Sequence, residues 1–464
     1  MPLPDECSNL YGSPIKFWMC NMKIITKCLG PIALFCSAQV CAWSNHTLVS
    51  HQLIQSMPQV ASVAPVKVES LAEFLLANET AVAQLLAEDE VWMAQNLWHY
   101  SPRPDNLAFT VTGNSQDVVE RFVKAIRVNP NAKFALYIQG MPGTDLIGAP
   151  RLPEDISVFQ DHGHLNHLPL QALTSGELVS AVDVVVSAND EPDHGHDIGL
   201  FTDSGTDHGQ EYGFGEQPFG NPNLEYGSQA PFHMGFYHES PVLYALGGFL
   251  KETYPQMRIH QYKRLAELAF AKGHDYWGYR FMGWGLHYIG DFSNPYHVTP
   301  VPGNSTLSTI WVGLLSTLGF PQAQQDAVQL VSNRHTVLED FQSVVMTKAY
   351  EANNLQHPMI SALTVEQPIA PYAESDVIDK FARASMDKAD YVGEILMASF
   401  PREYVQDETV EYSNLDALET LEQTVHQHAG EDGFNQLEAT ISGLLSDFSI
   451  HGSAYVADIL RAKP

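Results

Sequence analysis

His287-Tyr288-Ile289-Gly290-Asp291-Phe292-Ser293-Asn294-Pro295-Tyr296-His297 closes a helical pattern that runs from Tyr276 to Ile289. His287 and Asp291 are four residues apart, so on a helix their side chains share one face about a turn apart. Pro295 ends the helix and turns His297 back toward the same place. Imidazole and carboxylate are the ligands that zinc takes where thiolates are absent. A second pair at the same spacing, His335 and Glu339, lies in a helical segment after Asn333. Two such pairs on neighbouring helices can build a multinuclear site in a helical core. Taken singly, His287 also reads as a hydrogen-bonded core histidine and His335–Glu339 as a solvated surface pair.

The pattern outward from this segment is helical. Apolar residues recur at three- and four-residue steps over Ser70–Gln95 and Ile259–Lys272, with further helices expected at about 325–350, 375–400, 413–428 and 433–460. Alternating segments at Leu107–Thr112 and Lys133–Gln139 flank a helical stretch, Gln116–Ile126, and predict a small β insertion. Residues 186–235 are rich in Gly, Asp, Asn, His and Pro and have no period, which predicts a long functional loop. The fold class is therefore mainly α, a multi-helix core with a long active-site loop and a helical C-terminal extension over 401–464.

The chain has 464 residues, 45% of them hydrophobic, enough for a sizeable core. Its 54 Asp and Glu against 24 Lys and Arg give a net charge of −30, which argues against a basic face that grips duplex nucleic acid. All five cysteines, Cys7, Cys20, Cys28, Cys36 and Cys41, precede residue 42, so the body can hold neither a disulfide framework nor a Cys-ligated metal. Its 20 His leave a site of imidazole and carboxylate open. Met22 to Ala42 has the basic start, apolar run and small-residue cleavage site of a secretory signal peptide, with Met19 or Met22 as candidate start and Trp43 as the first mature residue.

Together these features resemble the zinc-dependent phospholipases C, including the clostridial alpha-toxin type. That family carries a HYxGDxxxPxH segment, which stands here as HYIGDFSNPYH, and a downstream HxxxE, matched by His335 and Glu339. Its mature chain begins with a Trp whose amino group and carbonyl bind zinc, matched by Trp43. The resemblance implies an insertion at about 61–189 within a catalytic domain spanning 43–400. It also implies about three Zn2+ per chain, whose charge would let an acidic protein bind an anionic substrate. One ion would be held by Asp193, His233, His287 and Asp291, a second by His297, His335 and Glu339, and a third by Trp43, His46 and the bridging Asp291. His51 is the alternative to His46, and Asp190 the competitor of Asp193. Asp193 would orient or deprotonate the attacking water.

The activity so implied is that of a secreted bacterial exoenzyme that hydrolyses the phosphodiester of phosphatidylcholine-type glycerophospholipids to diacylglycerol and a phosphorylated headgroup. Its partner would be a phospholipid surface, with neither nucleic acid nor a protein partner expected. The acidic and aromatic residues of the choline-preferring headgroup pocket are not in place, since His194 follows Asp193 and residue 230 is Ala. Tyr212, Phe214, Phe219, Tyr226 and Phe232 are candidates to form one differently. The single-strand nucleases of fungal type use the same zinc site, but Tyr288, Asn294 and Glu339 side with the lipases. A secreted, non-catalytic metal-binding protein is the remaining alternative.

Two other segments carry weaker signals. His162-Gly163-His164-Leu165-Asn166-His167 resembles a metallo-β-lactamase signature, but Asn166 replaces its Asp, and a solvated loop is the better reading. Leu307–Phe320 reads as core packing, with an interfacial element as the alternative. If Trp43 must be N-terminal, extra residues ahead of it should leave the protein poor in metal and activity; equal zinc content with and without such an extension would contradict this.

Overall fold

The computed structural model describes residues 45–162, 165, 168–221, 225–303 and 321–464. Trp43, the signal segment, most of the His162–His167 cluster and Leu307–Phe320 lie outside the described residues.

The architecture is mainly α. The principal helices are α1 (His46–Gln55), α2 (Leu71–Asn96), α3 (Val118–Ile126), α4 (Ala181–Ala188), α5 (Glu225–His233), α6 (Pro255–Ala271), α7 (Asp275–Asp291), α8 (Pro321–Glu351), α9 (Ala389–Ser399) and α10 (Leu421–Leu460). Their ends follow local chemistry. Asn45 caps α1 by accepting from the Leu48 amide, and Ser70 and Glu73 form a reciprocal capping box on α2. Pro255 opens α6, where its missing N–H costs nothing. Gly273, at φ +79°, makes the tight turn from α6 into α7.

Helix α7 lies at the centre, with every residue from Tyr276 to Asp291 buried. A helix buried all round needs partners on every side. It has them in α6, α4, α10 and α1. Two glycines allow the close approach: a Cβ on Gly283 would lie 2.6 Å from the Val185 carbonyl oxygen of α4, and one on Gly285 would lie 1.9 Å from the Tyr455 hydroxyl of α10. The segment 61–189 thus supplies a wall of the core through α4. The C-terminal segment supplies another through α10, which a kink at Gly430 (φ +69°) divides into the two helices expected there, the first starting at Leu421 rather than at about 413.

The β structure is confined to two antiparallel pairs among the described residues. Strand β1 (Val66–Lys67) pairs with β4 (Leu178–Val179), and β2 (Tyr137–Gln139) with β3 (Leu170–Ala172), Gln139 opposite Leu170. The expected strand at Leu107–Thr112 is absent. Its start is a short 3-10 turn, and the amides of Thr112 and Gly113 donate to the Glu79 carboxylate (3.1 and 2.8 Å), which Arg121 also engages. Those amides are satisfied by a side chain and so require no neighbouring strand. The expected loop over 186–235 is a chain of short turns, Glu191–His194, Thr202–Ser204 and Asp207–Glu211, leading into α5.

Replacing Gly283 with Ala should destabilise the fold by about 1–3 kcal/mol, because the obstructing atom belongs to the backbone and cannot rotate away. Urea denaturation of the variant measures it, and an unchanged midpoint would refute the close approach.

Candidate metal centre

Eight side chains from α1, the turn after α4, α5, α7, the turn after α7 and α8 meet behind the C-terminal end of α7. They fall into three groups whose ligand atoms lie within 4.8 Å of one another: His46, His287 and Asp291; Asp193, His233 and His287; and His297, His335 and Glu339. His287 and Asp193 link the first two groups, with His46 Nε2 3.8 Å from Asp193, and Asp291 also reaches both. Its Oδ1 is 3.4 Å from His46 Nε2 and its Oδ2 is 3.0 Å from His233 Nδ1. The centre therefore contains eight of the nine ligands expected from sequence, Trp43 lying outside the described residues.

The local chain explains this convergence. Helix α7 delivers His287 and Asp291 one turn apart at its end. Asn294 then accepts from the Tyr296 amide and, with Pro295, makes a 3-10 turn that carries His297 back. His297 is clasped to the end of α5: its Nδ1–H donates to the His233 carbonyl (2.8 Å), and its own carbonyl accepts from the Gly235 amide (2.7 Å). His335 and Glu339, which alone read as a surface pair, are only 4% and 2% exposed. His335 stacks on Tyr296, and Glu339 accepts from Asn294 Nδ2 (2.9 Å).

The tautomers follow from the outer contacts. His287 Nδ1–H donates to the Asn189 carbonyl (2.8 Å), as His297 does to the His233 carbonyl, leaving each Nε2 as a lone pair directed inward. His287 Nε2 lies 3.1 Å from His233 Nδ1, and His297 Nε2 lies 3.1 Å from His335 Nε2. Ring nitrogens facing each other at this distance suit a shared cation. Both nitrogens of the fully buried His46 lack a hydrogen-bond partner, as does Asp291 Oδ1. A buried polar group left so costs about 1–3 kcal/mol, and a cation would satisfy His46 Nε2 and Asp291 Oδ1, which face each other at 3.4 Å. The residues present therefore fit a metal.

Charge pairing separates inner from outer carboxylates. Arg280 and the Trp284 indole hold Glu191, and Arg258 holds Asp197. Asp190 accepts from the His46 amide (2.5 Å), Thr47 Oγ1 (3.2 Å) and Gln139 Nε2 (3.0 Å), so it anchors the start of α1. Among the described residues, neither Lys nor Arg pairs with Asp193, Asp291 or Glu339; histidines face them. Burial pushes the Asp193 carboxyl up to about 7. It pushes Glu339 well above the usual carboxylate range, with the negative neighbours Asp340, Asp193 and Asp291 adding to the effect. Burial would raise Asp291 as well, but His287, His233 and His46 hold it well below that range. A divalent cation removes the penalty on all three.

Other expectations resolve as follows. His51, the alternative to His46, lies outside the cluster, with its ring edge against Tyr350. The five aromatic candidates for a headgroup pocket disperse. Tyr212, Phe214 and Phe232 pack with Tyr254 in one buried cluster, Phe219 packs with Phe236 in another, and Tyr226 stacks on Phe159. Sequence reading did not reach the supporting roles of Asp190, Asn294 and Arg258. A buried Arg in so acidic a chain is the one available signal.

Comparison with protein-family models, with curated proteins and with solved structures finds no match for this chain. The three buried clusters nonetheless could hold metal ions.

His46→Ala should remove at least one equivalent of bound metal, whereas His51→Ala should leave metal content unchanged by elemental analysis. Because binding needs neutral imidazoles and charged carboxylates, bound metal should be retained near neutral pH and released on acidification. Identical metal content in both variants would contradict the assignment.

Proposed function

We propose that this chain is a secreted, zinc-dependent phosphodiester hydrolase that acts as a phospholipase C on glycerophospholipids. The observation that carries the reading is the linkage of two buried His–carboxylate groups through His287, Asp193 and Asp291, with a third group formed by His297, His335 and Glu339. Nitrogen and oxygen donors in a Cys-free body suit zinc. Ions held there would lower the pKa of a bound water and offset the charge of a phosphodiester.

The chain's own residues divide the work. His46, His233, His287 and Asp291 are fully buried and would hold ions rigidly, whereas Asp193, at 8% exposure, is the carboxylate of the centre with most access to solvent. It is the group placed to orient water or accept its proton. Asp291, whose Oδ1 faces His46 and whose Oδ2 faces His233, would help to hold metal in both groups.

Lipid is favoured over a polyanionic strand by the net charge of −30 and by the two outer contacts at lipase-type positions. Tyr288 donates to Asp197, which faces His233, and Asn294 donates to Glu339, so the first supports the surroundings of a ligand and the second a ligand itself.

Incubating purified mature protein with a phospholipid panel and, in parallel, single-stranded DNA, each with and without chelator, tests the reading. Chelator-sensitive release of diacylglycerol is expected. Cleavage of DNA alone would favour the nuclease alternative, and metal binding without hydrolysis of either would leave the non-catalytic one. Asp193→Asn should lower turnover at least 100-fold, by the usual worth of a general base.

A further inference from the structure

His287 and His297 turn their outer nitrogens to main-chain carbonyls, but His233 faces a carboxylate. Its Nδ1 points into the centre, 3.0 Å from Asp291 Oδ2, and its Nε2 points outward to Asp197 Oδ2 at 3.6 Å. Asp197 is fully buried and held from two sides. Arg258 spends both of its contacts on one oxygen, with Nε at 2.9 Å and Nη2 at 2.6 Å from Oδ1. The Tyr288 hydroxyl donates to the other, Oδ2, at 2.5 Å. Oδ2 is thus the oxygen left to face the imidazole.

Arg258 is itself fixed. It is fully buried and donates to the carbonyls of Ile126 (2.7 Å) and Arg127 (2.8 Å) and to Gln261 Oε1 (3.0 Å). The turn after α3, far along the chain from any ligand, therefore sets the position of a carboxylate behind His233. A purely structural ion pair would explain Arg258 and Asp197. It would not explain why the oxygen that Arg258 leaves is turned toward the outer nitrogen of a metal-facing histidine and steadied there by Tyr288.

We propose that Asp197 is a positioning residue of the metal centre. Its negative charge, 3.6 Å from Nε2 and so beyond hydrogen-bond length, favours the Nε2–H form of His233, so that Nδ1 is the nitrogen available to an ion near Asp193 and His287, and makes that nitrogen a stronger donor. Arg258 and Tyr288 hold Asp197 to this task. The inference rests on the metal-centre reading but not on which phosphodiester is cleaved.

The test uses the full mature chain loaded with Zn2+ or Co2+. Asp197→Asn should weaken the binding of one ion by about 10–100-fold in chelator competition, the usual worth of such an outer partner. The Co2+ absorption spectrum should shift with it. Tyr288→Phe keeps the Arg258–Asp197 pair and should weaken the same ion in the same direction, so it decides the matter if Asp197→Asn does not fold. Wild-type affinity for every ion together with an unaltered Co2+ spectrum, in whichever variant folds, would overturn the proposal. A wild-type chain that binds no ion at all would instead overturn the metal reading beneath it.

Discussion

The structure depends on the complete burial of α7. A helix with no solvent face cannot be placed by amphipathicity, so its position is set by what surrounds it. Gly283 lets the α4 backbone approach on one side, and Gly285 admits the Tyr455 hydroxyl of α10 on another. Gly290 does the same for the His46 ring, 3.2 Å from where its Cβ would lie. These contacts bring the last turn of α7, with His287 and Asp291, into the deepest part of the protein and leave little freedom for either side chain. Interiors packed to this density do not deform gradually, so the inner ligands are held in place before any ion binds.

Such burial would be prohibitive for bare carboxylates. Of the acids around the centre, Glu191 and Asp197 are neutralised by arginines, and Asp190 is satisfied by an amide, a hydroxyl and a side-chain amide. Among the described residues, Asp193, Asp291 and Glu339 have histidines and amide donors but neither Lys nor Arg paired with them. The fold thus separates an outer ring of charge that it balances itself from an inner one that a cation would balance. That division would reconcile a net charge of −30 with the proposed binding of an anionic phosphodiester, because the positive potential would be local and supplied by metal.

The segments without counterpart in the resemblance to the phospholipases C are the ones that support the centre. Residues 61–189 contribute α4, Gln139, which donates to Asp190, and the Ile126 and Arg127 carbonyls that fix Arg258. The C-terminal helix α10 backs α7 through Tyr455 and Phe448. A ligand set with this geometry needs rigid outer contacts, and here they come from chain elements distant in sequence.

The sequence by itself determined the helical class, the thiolate-free chemistry and most of the candidate ligands. These depend on short-range spacing: His287 and Asp291 lie a turn apart on any helix, and Pro295 must end that helix wherever it lies. His335 and Glu339 were equally legible as a pair but not as a buried one, since an i,i+4 spacing carries no information about depth. Only the tertiary structure decided which nitrogen each histidine offers, that Asp190 anchors α1 while Asp193 faces the cluster, and that Asp197 stands behind His233. Those outcomes depend on carbonyls, amides and an arginine brought together by packing, and no local pattern encodes such meetings. The missing strand at Leu107–Thr112 has the same cause, because a buried Glu79 far back in the chain took the amides that a neighbouring strand would have used.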